Sequence, residues 1–538
     1  MALPAEPTSE KDFSGGVATS PADGRKWGYK ELAWALALLG IAIRLEQYLY
    51  NRSLWMDEAM VGLNLIQRTF GQLTKPLEFH VTEPIFWLFT SKLCNVLLGG
   101  RELALRLPEI TAGIISVLLV LALGKRLLSP AGVCIAVGWF ALSRPLIYYS
   151  SELKPYGSDP AVAALLWLVA LWVILKPTPG RIVALAILGA LAVWFSYPAL
   201  FVLSGLGLTI LWWALAQGGW RRLAPFVPAL VLWVVSFGAN YWFFLHASSH
   251  DSMLLNNYRP LRLSLWHFAD LEGLLEMIFA LQQTPFTILL GVAVFAFCVG
   301  CIYYWRRNRF VLCLLVTPLL FAMLASTLHL YPAVGRFYNF FAPAMAILIA
   351  AGAEALMRVG EEKRTPASVV LVILLFVQPV LSAREIVVHP LEVQELRPVL
   401  AYVQSHQQTG DVWYIYPFTE MAYRYYAEAY GLSGNDVILG SRWVWGRSHS
   451  EVFAQDAARL RGRRVWVVIA NPGRVDGKDD FSLLVQAFDN AGTRRDAYSR
   501  ALAAAFLYEV KAPYSGTQTR EHSADLSTPV GTSNKPHP

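Results

Sequence analysis

Four short segments concentrate acids, bases and aromatic residues in a chain that is otherwise poor in charge. Residues 53–60 (SLWMDEAM) set Asp57 beside Glu58. Residues 149–160 (YSSELKPYGSDP) hold Glu152, Lys154, Tyr156 and Asp159. Residues 80–84 (HVTEP) bring His80 and Glu83, and residues 331–338 (YPAVGRFY) bring Tyr331 and Arg336. Sugar and lipid hydroxyls are poor nucleophiles, so a carboxylate base is useful in their transfer. A departing phosphate develops charge that Lys or Arg stabilises. Ordinary structural roles compete with this chemistry. Acids in a first helical turn complement the helix dipole, and Asp159-Pro160 reads as a helix start. Any one of these tyrosines also reads as an interfacial aromatic.

The elements that must position these residues are membrane spans. Of the 538 residues, 55% are hydrophobic and only 15% are charged. A soluble domain has about 45–50% apolar and about 25% charged residues, so most of this chain belongs in a bilayer. Mean hydropathy is +0.42. Nineteen Trp and 23 Tyr suit the headgroup level. The net charge of +7 says less than its location, and no nucleic-acid partner is read from it.

Apolar runs at 31–50, 108–124, 131–149, 160–176, 182–196, 199–216, 226–245, 285–304, 310–327, 340–357 and 367–383 predict about eleven spans. Lys26 and Lys30 precede the first. Lys125/Arg126, Lys176/Arg181, Arg221/Arg222, Arg306/Arg307/Arg309 and Arg358/Lys363/Arg364 fall in alternate loops. The positive-inside rule then sets the N-terminus in the cytoplasm and all four acid-bearing or Arg336-bearing segments outside. Residues 84–98 carry Lys92 and would reverse every later loop if they crossed. They are predicted to lie in the interface plane, within an outer loop over 51–107. Lys154 and Arg336 face outward against the charge trend and need acidic or anionic partners. Arg336 opens a predicted span, and a helix N-terminus beside an Arg suits phosphate.

Composition changes after Ala383. VWYIY (412–416), VWVVIA (465–470) and AAAFLYEV (503–510) predict strands, and 481–492 predicts a helix ending at glycine. A small outer α/β domain over 384–515 follows. Residues 1–29 and 516–538 read as polar disordered tails, the first cytoplasmic. No cleavable signal, phosphate-binding loop or internal repeat is visible. Cys94, Cys134, Cys298, Cys301 and Cys313 all lie in apolar stretches and read as packing residues. His246, His250 and Asp251 give a weak metal hint.

The stretches YNRSLWMDEAMVGLNLIQRTFGQLTKPLEF, ELALRLPEITAGI, YYSSELKPYGSD and LHLYPAVGRFYNFFAPAM resemble membrane glycosyltransferases of the C-type fold. They are most similar to the group that includes aminoarabinose transferase and the protein O-mannosyltransferases. The likeness runs from about 30 to 383. The resemblance implies a mainly α polytopic bundle in the plasma (bacterial inner) membrane, with its C-terminal domain periplasmic or extracellular. It implies a polyprenyl-phosphate sugar donor, an inverting single displacement, and a lipid, glycan or protein acceptor. It further implies catalytic roles for Asp57, Glu58 and Asp159, and donor-phosphate roles for Lys154, Arg336, Tyr156 and Tyr331. Glu152, Glu83 and His80 would form a second acidic group on the acceptor side. No cofactor is required, and a divalent ion (Mg or Mn) stays open because Glu83 stands where relatives often lack an acid. The competing readings are a polysaccharide ligase or polymerase using a lipid-diphosphate donor, and a lipid or sugar transporter.

Overall fold

The computed structural model describes residues 26–99, 102–217, 219–253, 287–332, 335–358, 366–430, 432, 436–441, 448–475 and 478–512. Most of the N-terminal tail, the C-terminal tail and most of the 246–284 loop, read above from sequence, lie outside them. Each predicted apolar run holds a helix. Among the described residues, eight helical segments are long and apolar enough to cross a membrane, and Pro130–Ala141, Pro179–Phe195 and Ile85–Leu98 are shorter apolar helices. Helix Thr287–Arg307 adds a further run of 21 residues.

One span departs from the sequence reading. The run at 131–149 is not one helix. It breaks at Leu142 and resumes as Arg144–Tyr149 after an extended Ser143, with Pro145 in the first turn of the new helix, where its missing N–H costs nothing. The segment 84–98 is one helix, Ile85–Leu98. At 1.5 Å per residue it is about 21 Å long, short of the roughly 30 Å hydrocarbon core. Lys92 is buried, and its Nζ donates to the carbonyl of Leu65 near the C-terminal end of helix Met56–Gln67, where a cation is favourable.

Bundle packing relies on close backbone approach at small residues. A Cβ on Gly300 would stand 1.9 Å from the Leu348 carbonyl, and one on Gly352 would stand 1.8 Å from that of Ala296. Glycine at both positions is what lets helices Thr287–Arg307 and Ala342–Arg358 meet.

The C-terminal domain holds a five-stranded sheet in the order β2-β1-β3-β7-β6. Its strands are β1 (Val412–Ile415), β2 (Asp436–Leu439), β3 (Arg464–Ala470), β6 (Gly492–Arg500) and β7 (Ala503–Val510), and β4 (Arg474–Val475) and β5 (Lys478–Asp479) form a separate hairpin. β1 runs parallel to β2 and β3, whereas β7 is antiparallel to β3 and β6. Sequence reading finds β1, β3, β7 and helix Asp480–Ala491 and misses β2 and β6. The domain is fused to the segment 51–107. Leu54, Leu63, Trp87 and Leu105 share one apolar cluster with Val399, Trp413, Tyr425 and Trp466. Polar contacts join the same surfaces: the Leu54 N–H donates to the Tyr426 hydroxyl, and Ser53 Oγ donates to Glu395. The segment 51–107 and the sheet domain therefore occupy one end of the bundle.

Candidate active site

Helix Met56–Gln67 starts with Asp57 and Glu58 in its first turn. Neighbouring helical residues are rotated by about 100°, and the two acids meet different surroundings. Asp57 Oδ2 lies 3.4 Å from Arg336 Nη1, with both side chains about a quarter exposed, at 24% and 21%. The Arg336 guanidinium sits over the rings of Tyr156, at 5.5 Å, and Phe337, at 5.4 Å. Tyr156 is edge-on to Phe337 and Tyr149, so an aromatic wall orients the cation.

Beside this open pair lies a closed one. Lys154 Nζ is 2.8 Å from Glu83 Oε1, and both side chains are buried. Burial opposes the charge on Lys154, but Glu83 and Asp57 outweigh it and hold the ammonium above its ordinary value. Burial raises Glu83, helped by the charge of Asp57 and only partly offset by Lys154. Lys154 thus remains a fixed positive charge within the electrostatic reach of Asp57.

Glu58 is fully enclosed. Arg106 donates to both its oxygens, at 2.9 and 2.8 Å. Arg52 Nη1 donates at 2.7 Å, and the Leu153 N–H at 2.6 Å. Burial alone would raise this carboxyl, but Arg106 and Arg52 together hold it below its ordinary value. The expectation that Glu58 reacts alongside Asp57 gives way here. Its oxygens are saturated and inaccessible, so it positions the loop, the span bearing Arg106 and the 149–160 corner.

The other expected residues divide in the same way. Glu152 is buried, and its Oε1 accepts from Trp55 Nε1 at 2.8 Å and the Tyr148 hydroxyl at 3.1 Å. Asp159 is buried at the start of its span and accepts from Ser196 Oγ at 2.6 Å. Tyr331 was expected at the phosphate, but its hydroxyl donates to the Phe337 carbonyl at 2.8 Å, so it braces the Arg336 turn. His80, expected on the acceptor side, meets Asp251 at 2.7 Å. His250 Nδ1 contacts the His246 carbonyl. Among the described residues no group of three His, Cys, Asp or Glu has metal-binding geometry, and Glu83 is engaged by Lys154. Among the described residues, then, none is arranged to hold a divalent ion.

Sequence reasoning missed Arg52 and Arg106. The signal was present: Arg106 is a charge heading an apolar run, within the ELALRLPEITAGI stretch that carries the resemblance.

No family model matches the chain, and no curated protein matches it. Solved structures do. ArnT from Cupriavidus metallidurans bound to undecaprenyl phosphate aligns over 91% of this chain and 100% of its own, with a TM-score of 0.50 and 12% identity. Its apo state aligns over 90% and 99%, with a TM-score of 0.51 and 12% identity. The oligosaccharyltransferase AglB from Archaeoglobus fulgidus, in complex with an inhibitory peptide and a dolichol-phosphate, aligns over 93% of this chain and 76% of its own, with a TM-score of 0.48 and 11% identity. With a multi-pass helical bundle and a small C-terminal sheet domain, and an ArnT alignment over 91% of its length, this chain has the C-type fold of membrane glycosyltransferases.

Proposed function

We propose that the chain transfers a monosaccharide from a polyprenyl-phosphate carrier to an acceptor hydroxyl, at the bundle end that bears Asp57 and on the exoplasmic side of the membrane. The observation that carries this reading is the half-open Asp57–Arg336 pair beside the buried Lys154–Glu83 pair. It sets a candidate base against one cation and within the electrostatic reach of a second. The fold likeness to ArnT, whose solved structure holds undecaprenyl phosphate, supports a lipid-phosphate donor.

In this mechanism Asp57 accepts the proton of the attacking acceptor hydroxyl. The acceptor oxygen bonds to the anomeric carbon from the face opposite the leaving group, and the carbon–oxygen bond to phosphate breaks. The electron pair leaves with polyprenyl phosphate, so one displacement inverts the anomeric centre. Arg336 releases Asp57 as the donor binds, holds the donor phosphate in the bound state, and keeps that contact as charge develops there. Lys154 stays bound to Glu83 and contributes its field rather than a direct bond. Asp159 acts through Ser196, at the base of the corner, and is a positioning residue.

The test is donor choice. Purified protein is incubated with a polyprenyl-phosphate monosaccharide or with a diphosphate-linked oligosaccharide, each with a mixed acceptor pool. Release of polyprenyl phosphate from the monophosphate donor is the expected result. Release from the diphosphate donor alone would favour a ligase, and release from neither overturns the enzyme reading.

A further inference from the structure

The two halves of the Asp57–Arg336 pair belong to different cores. Arg336 lies in the turn Gly335–Phe341, whose Tyr338, Phe340 and Phe341 are buried in the main apolar cluster of the bundle. Helix Met56–Gln67 buries Ala59, Val61, Leu63 and Leu65 in the second cluster, the one shared with the sheet domain. The approach of Asp57 to Arg336 is therefore set by how the sheet domain seats this helix.

The seating is polar and concentrated at the helix start. The first N–H groups of a helix have no intrahelical acceptor, and a side-chain cap usually comes from the preceding residue. Here that residue is Trp55, whose indole can only donate and is engaged by Glu152. The acceptor for the Met56 N–H comes instead from the sheet domain: it is Gln394 Oε1, at 3.0 Å. Gln394 is buried. The next residue, Glu395, donates its N–H to the Ala501 carbonyl at 2.9 Å, in the turn between β6 and β7, and accepts from the Ser53 N–H and Oγ. With Leu54 on the Tyr426 hydroxyl, residues 53, 54 and 56 each donate a backbone N–H to a sheet-domain side chain just before Asp57. Gln394 Nε2 has no partner among the described residues, so Met56 alone fixes the amide's orientation. Flipped, it would set donor against donor.

We propose that Gln394 is a positioning residue for transfer: through the Met56 N–H it sets the start of helix Met56–Gln67, and with it the Asp57 carboxylate, against Arg336. The sheet domain is then a working half of the site rather than a cover for it. This inference rests on the transferase reading. Its force is geometric. One cap bond is a small part of a broad apolar interface, whereas misplacing a reacting group by about 1 Å can cost about 10²-fold in rate. The amide also caps the helix without bringing another carboxylate to the start that already carries Asp57 and Glu58.

The test uses full-length protein in mild detergent, with a polyprenyl-phosphate monosaccharide and the mixed acceptor pool. Gln394→Met keeps the side-chain length and removes the acceptor. It should lower kcat about 10–100-fold and leave the donor KM within about threefold, because Arg336 is untouched. Gln394→Glu keeps an acceptor for the Met56 N–H and should bring kcat back to within about threefold of the parent. Hydrogen–deuterium exchange reads the same contact without substrate. Amides over residues 54–60 should exchange at least about tenfold faster in Gln394→Met and near the parent rate in Gln394→Glu. Tyr426→Phe removes the neighbouring acceptor, that of Leu54, and should lower kcat several-fold; it decides the matter where Gln394→Met does not fold. Parent-level kcat or parent-level exchange in Gln394→Met, or equal losses in the Met and Glu variants, overturns the proposal. A parent that releases no polyprenyl phosphate overturns the transferase reading instead, and the exchange rates then still show whether Gln394 holds the helix.

Discussion

Asp57 and Glu58 are adjacent, share a charge and begin the same helix, yet they belong to two different kinds of cluster. Asp57 faces Arg336 across 3.4 Å with both side chains partly in solvent. Glu58 is locked between Arg52 and Arg106, all three at 0–1% exposure. An open pair can trade its partner for a substrate at small cost, because water screens both charges. A sealed pair cannot, because removing one partner strands a buried charge. The open pair, to which we assign the chemistry, and the sealed scaffold are therefore separated by one residue of helix rotation, and exposure, not residue type, tells them apart.

The largest expected effect falls on the open pair. Asp57→Asn removes the proposed general base and should lower turnover by about 10²–10⁴-fold, with the thermal unfolding midpoint unchanged. Turnover within tenfold of the parent would break the comparison at its functional side. The next effect falls on the sealed cluster. Glu58→Ala leaves Arg52 and Arg106 buried without their carboxylate and should cost about 3–5 kcal/mol of stability, read by thermal unfolding in detergent. The folded value of Glu58 is lowered, so its contribution is present above the ordinary carboxylate value and is lost as pH falls below it. A Glu58→Ala protein as stable as the parent, but inactive, would move Glu58 back into the chemistry.

Arg336→Ala should act more mildly, on the donor. Loss of one charge-assisted contact, about 1.5–3 kcal/mol, predicts a KM for lipid donor raised roughly 10–100-fold. Arg336→Lys should recover part of it, since lysine keeps the charge but not the planar fork. A fall in kcat with unchanged KM would instead assign Arg336 to the transition state alone.

The legible parts of the molecule were those whose signal is local. Apolar runs located the spans, and β1 and β3, buried along nearly their whole length, stood out as continuous apolar segments. β6 did not. Its sequence GTRRDAYSR is mostly exposed at a sheet edge, where polar residues are the norm. β2 is a four-residue edge strand, DVIL, with exposed ends. In the site, the candidate acids and cations were legible by type, but their pairings were not. Glu58 draws its partners from Arg52, Arg106 and Leu153, and only the packed bundle brings those three together.

Glu152 tests where the sealed cluster ends. Burial and the nearby charge of Glu58 raise its folded value, and only its Oε1 has hydrogen-bond donors among the described residues, from Trp55 and Tyr148. A carboxyl whose value is raised by folding contributes stability fully present below the unfolded value and lost as pH rises through the folded one. Glutamine mimics the protonated form and still accepts from both donors. Glu152→Gln should therefore match the parent near pH 4 and exceed it modestly near pH 8, the smallest of these effects, read as unfolding midpoints across pH. The opposite result, a variant weaker at pH 8, would mean that Arg52 compensates two carboxylates at once. The sealed cluster would then extend through Glu152 to the Trp55 indole, two residues from Asp57, and the boundary between scaffold and chemistry would be narrower than the Asp57–Glu58 contrast alone suggests.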